Sequence, residues 1–97
     1  MSIEVYKGEM ESMMADGATL VDVRETDELQ TDGTIPGYVH LPLSRFAELA
    51  NTIKLDRPVI FYCRSGMRAF QAAQVAGRLL TQPVYYLSGG LLGYLDS

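Results

Sequence analysis

Val59-Ile60-Phe61-Tyr62-Cys63-Arg64-Ser65-Gly66-Met67-Arg68 decides the architecture. Its first four residues are an unbroken apolar run, which is what a strand covered on both faces in the middle of a parallel sheet requires. Cys63 follows at once, then a short loop with a glycine inside it. From Ala69 to Leu80 the chain reads as a helix, with Ala72, Ala73, Ala76 and Leu79 or Leu80 on its inner side. Strand, tight loop and helix in that order predict an α/β fold with the cysteine at the end of a central strand.

Working outward, apolar and amphipathic stretches alternate between breaks made by Gly, Pro or Asp. Ile3 to Tyr6 reads as a first strand. Glu9 to Ala15 reads as a helix whose Met10, Met13 and Met14 recur at helical spacing, as core packing does, and which stops at Gly17. Thr19 to Val23 is a buried strand running into the acidic helix start Thr26-Asp27-Glu28, whose carboxylates suit a helix N-terminus. Gly33 ends that helix, and Thr34-Ile35-Pro36-Gly37 turns the chain. Tyr38 to Leu41 offers a short strand, and Ser44 is the expected N-cap of a helix from Arg45 to about Asn51. Val84 to Leu87 is the last strand, Gly89-Gly90 turns, and Leu91 to Leu95 makes a short final helix.

The chain has 97 residues, 47% of them hydrophobic and 21% charged, which suits one compact domain spanning residues 1–97 rather than a disordered segment. A net charge of −4, with the eight Lys and Arg scattered, gives no basis for a nucleic-acid or anionic-membrane surface. Neither a signal pattern nor an apolar run long enough for a membrane helix is present, so a cytoplasmic protein without membrane partners is expected. One cysteine and one histidine, His40, leave no internal disulfide and exclude most metal constellations. No cofactor is expected.

A strand ending in Cys63, with a glycine loop and a helix start behind it, gathers backbone N–H groups around one sulfur. The helix terminus and loop amides favour a thiolate and hold any anion attached to it, so Cys63 is a candidate nucleophile needing no general base. Arg64 and Arg68 flank the loop, and guanidinium groups bind oxyanions in a forked geometry, which points to an anionic substrate. A bland alternative reads Cys63 as a small buried apolar residue beside solvated arginines. Loop length separates two chemistries. Cysteine phosphatases carry their phosphate-binding arginine where Ala69 stands here. Arg68 comes one residue earlier, so the ring of amides is smaller and better matched to a terminal sulfur atom than to phosphate.

These residues resemble the rhodanese family of single-domain sulfurtransferases. The resemblance is carried by Cys63-Arg64-Ser65-Gly66-Met67-Arg68, by Leu20-Val21-Asp22-Val23-Arg24-Glu25, by Gly33-Thr34-Ile35-Pro36-Gly37 and by Leu87-Ser88-Gly89-Gly90, in that family's order along nearly the whole chain. It implies a single rhodanese-like domain, with a five-stranded, mostly parallel sheet flanked by helices on both sides. It also implies catalysis by Cys63, which would take the outer sulfur of a small anionic donor such as thiosulfate. The resulting persulfide would sit among the amides of Arg64, Ser65, Gly66, Met67 and Arg68, with Arg68 and Arg64 orienting the donor, until cyanide, a cellular thiol or a small protein accepts the sulfur. A relay or regulatory module with protein partners is the main alternative, and a phosphatase or arsenate reductase a weaker one. Thr34 stands where a histidine is common in the family, and the tryptophan often seen near the C-terminus is missing.

Asp22 and Arg24 end a strand near the same edge of the sheet. They either shape the electrostatics around Cys63 or serve the structure, with Asp22 capping a loop and Arg24 pairing with Glu25 or Glu28, and the second reading is favoured.

Overall fold

At the centre of the computed structural model lies the strand β4 (Val59–Tyr62), every residue of it buried. The structure describes residues 2–53 and 56–96. Around β4 run β1 (Ser2–Val5), α1 (Lys7–Ala15), β2 (Thr19–Asp22), α2 (Thr26–Asp32), β3 (Val39–His40), α3 (Leu49–Thr52), α4 (Met67–Leu79), β5 (Val84–Leu87) and α5 (Gly90–Leu95). The five strands form one sheet in the order β1-β5-β4-β2-β3, and all four pairings are parallel. Val21 lies opposite Phe61 and Asp22 opposite Tyr62, so β2 and β4 end level and Cys63 emerges one residue beyond that edge.

Side-chain alternation along β4 divides the interior in two. Phe61, Val59 and Cys63 face a core shared with Val21, Val23, Val84 and the α4 alanines Ala69, Ala72, Ala73 and Ala76. Ile60 and Tyr62 face the other, shared with Leu20, Val5, Leu87, Met10 of α1 and Leu91 of α5. Helices therefore cover both faces, as an all-parallel sheet demands. The α4 alanines carry no long side chains, so the helix that follows the cysteine can lie close on β4. Met10 is buried, with Met13 and Met14 packed beside it, so the methionine stripe is core.

Several boundaries move. Tyr6 leaves the first strand and becomes the extended N-cap of α1, which starts two residues earlier than expected; its N–H donates to Glu9 Oε1 at 3.1 Å. The strand expected over Tyr38 to Leu41 is paired only at Val39 and His40. The expected helix from Arg45 is a 3-10 segment, Leu43–Glu48, kinked at Arg45 and followed by the single turn of α3. Pro42 takes the cap position there, and Ser44 does not cap: its hydroxyl donates to Glu25 Oε1 at 2.8 Å. At the end of α4, Leu80 packs on the core whereas Leu79 is exposed.

Candidate active site

β4 ends where its last backbone bonds to β2 close, and the next side chain, Cys63, turns into the core under α4, 1% exposed. Two N–H groups point at its sulfur: that of Gly66 at 3.0 Å and that of Ala69 at 3.4 Å. The geometry follows from the start of α4, which is Met67 rather than Ala69, because Gly66 adopts φ +113° and acts as N-cap, and Phe70 N–H closes the first helical bond onto Gly66 O at 3.0 Å. A residue with a side chain is strained at that φ. Ala69 was expected to open the helix, not to serve the sulfur; its N–H is one of the orphan donors of a helical first turn.

The loop is held from behind by α5. Leu91 N–H donates to Cys63 O at 2.8 Å and Leu92 N–H to Arg64 O at 3.1 Å. Gly90 makes this approach possible: a Cβ there would stand 2.5 Å from Cys63 O and 2.7 Å from Arg64 O. With those carbonyls turned toward α5, the loop's opposite side presents amides to the sulfur. The Gly89-Gly90 pair thus does more than reverse the chain.

Both loop arginines are engaged by α2. Arg68 makes a two-pronged pair with Glu28, Nη1 to Oε1 at 2.6 Å and Nη2 to Oε2 at 2.7 Å. These hydrogen bonds hold the Glu28 carboxyl down at about 2, and Glu28 in turn holds the Arg68 guanidinium above its ordinary range. Four residues earlier, in the loop itself, Arg64 Nε faces Asp32 Oδ2, four residues later on α2, at 3.5 Å in a more exposed pair. Ser65 and Met67 are exposed at the rim of the loop.

Asp22 and Arg24 form a fully buried ion pair, Nη2 to Oδ2 at 2.7 Å, and Arg24 Nε also donates to Asp22. Arg24 Nη2 reaches on to Gly33 O at 2.6 Å and Nη1 to Glu28 O at 3.5 Å, so its carboxylate partner is Asp22 and not Glu25 or Glu28. The reason is local: Asp22, at the end of β2, caps the loop by accepting the Arg24 N–H at 2.9 Å through Oδ1, which keeps the two side chains together, while the Glu25 and Glu28 carboxylates are taken by Ser44 and Arg68. Burial works against the Arg24 charge, but the hydrogen bonds and charge of Asp22 outweigh it and hold its pKa above the ordinary value. Beside the pair, burial pushes the Tyr62 hydroxyl up, and that hydroxyl accepts the N–H of Ile35 at 3.1 Å. His40, at the end of β3, sits 2.7 Å from Arg24 O through Nε2.

Among the described residues no group of three or more His, Cys, Asp or Glu side chains gathers as metal ligands would. A cleft of about 640 Å³ opens between α1 and α5, lined by Tyr6, Lys7, Ser88 and Tyr94 among others, and includes neither Cys63 nor the loop arginines.

A family model for the rhodanese-like domain matches residues 7–97. The chain belongs to the rhodanese-like domain family. It is 38% identical over 73 residues to the uncharacterized protein YqhL of Bacillus subtilis, a match spanning 75% of this chain and 57% of YqhL. The chain therefore spans little more than half the length of that relative. It is 33% identical over 89 residues to the thiosulfate:glutathione sulfurtransferase of Homo sapiens, covering 73% of this chain and 74% of that one. A solved human single-domain sulfurtransferase superposes with a TM-score of 0.82 at 30% identity, over 97% of this chain and 96% of the other. The rhodanese-like domain and its parallel five-stranded sheet agree with the resemblance carried by the motifs. Glu28 and Asp32, which the motifs did not single out, are its additions to the cysteine loop.

Proposed function

We propose that this chain, as one rhodanese-like domain over residues 1–97, carries sulfane sulfur on Cys63. The observation that supports this most directly is the pair of N–H groups, from Gly66 and Ala69, directed at a single sulfur at a helix start. The Cys63 thiolate attacks the outer sulfur of a small anionic donor such as thiosulfate. A new S–S bond forms, the donor's own S–S bond breaks, and its electron pair leaves with sulfite. The persulfide remains among the loop amides, which suit a negatively charged terminal sulfur. A thiophilic acceptor, whether cyanide in an assay, a cellular thiol or a small protein, then takes the outer sulfur and regenerates the thiolate. The single cysteine suits a reducing, cytoplasmic setting.

Intact-mass measurement after incubation with thiosulfate tests this. One added sulfur, about 32 mass units, is expected on the wild type and none on Cys63→Ser. A free thiol that titrates normally but gains no sulfur from thiosulfate or a persulfide donor would overturn the reading.

A further inference from the structure

The loop's two arginines are where a dianionic donor would be expected to bind, yet neither has its charge to itself. Arg68 turns both terminal nitrogens on Glu28, and Arg64 faces Asp32. Summed over these four side chains, the mouth of the cysteine loop carries two positive and two negative charges, so their fields largely cancel a few ångströms away. What remains to attract an anion is the group of backbone N–H dipoles around Cys63. Partial charges of that kind are well matched to one negative charge and poorly matched to two.

Resting on the sulfur-transfer reading, we propose that Glu28 and Asp32 are positioning residues that set the donor's charge: by neutralising Arg68 and Arg64 they make the loop prefer singly charged sulfane donors over dianionic thiosulfate. Two donors isolate this effect, because thiosulfate and methanethiosulfonate present the same outer sulfur on groups differing by one charge. Attack by the Cys63 thiolate gives the persulfide in both cases, releasing sulfite from the first and methanesulfinate from the second. In each reaction one S–S bond forms, one breaks and the leaving group takes the electron pair.

The experiment follows persulfide formation on Cys63 by intact mass, in single turnover with each donor in excess, for wild type, Glu28→Gln, Asp32→Asn and the double variant. Glutamine keeps an acceptor for Arg68 while removing the charge. Asp32→Asn lies in the more exposed pair and gives an independent reading should Glu28→Gln disturb folding. The expected result is a rise of about threefold per substitution in the ratio of thiosulfate to methanethiosulfonate loading rates, roughly multiplicative in the double variant. The rise should shrink as salt is raised. A purely structural role would slow both donors together, and an unchanged or lowered ratio overturns the inference while leaving sulfur transfer standing. Absence of loading from either donor in the wild type overturns sulfur transfer itself, and this inference with it.

Discussion

A methyl group on Gly90 would stand 2.5 Å from the carbonyl oxygen of Cys63, on a backbone whose φ is already +59°. Either fact alone makes a side chain costly there, and the second cannot be relieved by rotating anything. Gly90→Ala should therefore lower stability by about 2 kcal/mol or more, and should slow Cys63 loading beyond what the stability loss explains, because the loop itself must shift. Urea titration and the single-turnover mass assay read the two effects separately. Cys63→Ser, by contrast, keeps a small acceptor for the N–H groups of Gly66 and Ala69, so its unfolding midpoint should stay near that of the wild type while all sulfur loading disappears. Residue types at the loop were readable from the chain, since Cys63 after a buried strand and Gly66 inside a tight turn have few other uses. That Ala69 would supply the second N–H was not, because every residue type but proline offers that donor and only the position of the helix start decides which one does.

Among the elements, α2 is short, yet it meets the cysteine loop through two ion pairs. Its attachment titrates. The Glu28 carboxyl is held at about 2 in the folded chain, against an ordinary value of 4.5. A depressed carboxyl contributes stability that is fully present above its unfolded pKa and is lost as pH falls through the folded one. The stability difference between wild type and Glu28→Gln should thus be constant above about pH 5 and vanish progressively between there and about pH 2, as denaturant titrations across that window would show. Beneath α2, Arg24 ties Asp22 of β2 to the carbonyl of Gly33, so one buried guanidinium joins a strand end to the helix exit. Arg24→Met would leave the Asp22 charge buried without a partner, a loss of about 3–5 kcal/mol, and adding Asp22→Asn should recover a large part of it. A thermal melt of the single and double variants checks this. The Asp22 cap on the loop was legible in the chain, since a short carboxylate at a strand end commonly accepts the N–H two residues on, and that cap brings Arg24 beside it. The contact between Glu28 and Arg68 was not, since it joins residues 40 positions apart that only the folded sheet brings together.

At the scale of the whole molecule, β4 belongs to both cores, and its neighbours β2 and β5 shield its edges. Amides of Val59 to Tyr62 should exchange with solvent only through global unfolding, whereas those of the 3-10 segment Leu43–Glu48 should exchange through local opening, a contrast that hydrogen exchange with mass detection resolves. The same burial explains which parts of the fold could be read from the chain. An apolar run covered on both faces leaves a signature that little else leaves, and so do the α4 alanines on one helical face. The 3-10 segment leaves no such signature, because what holds it is the distant Glu25 carboxylate on Ser44, together with Pro42. The hydrogen bonds from Leu91 and Leu92 to the carbonyls of Cys63 and Arg64 also order events in time. A ribosome delivers the cysteine well before the residues that brace it, so a growing chain passes through a stage in which the thiol exists and its cradle does not. The loop that holds Cys63 gains its brace from behind only once the 90–95 segment has docked.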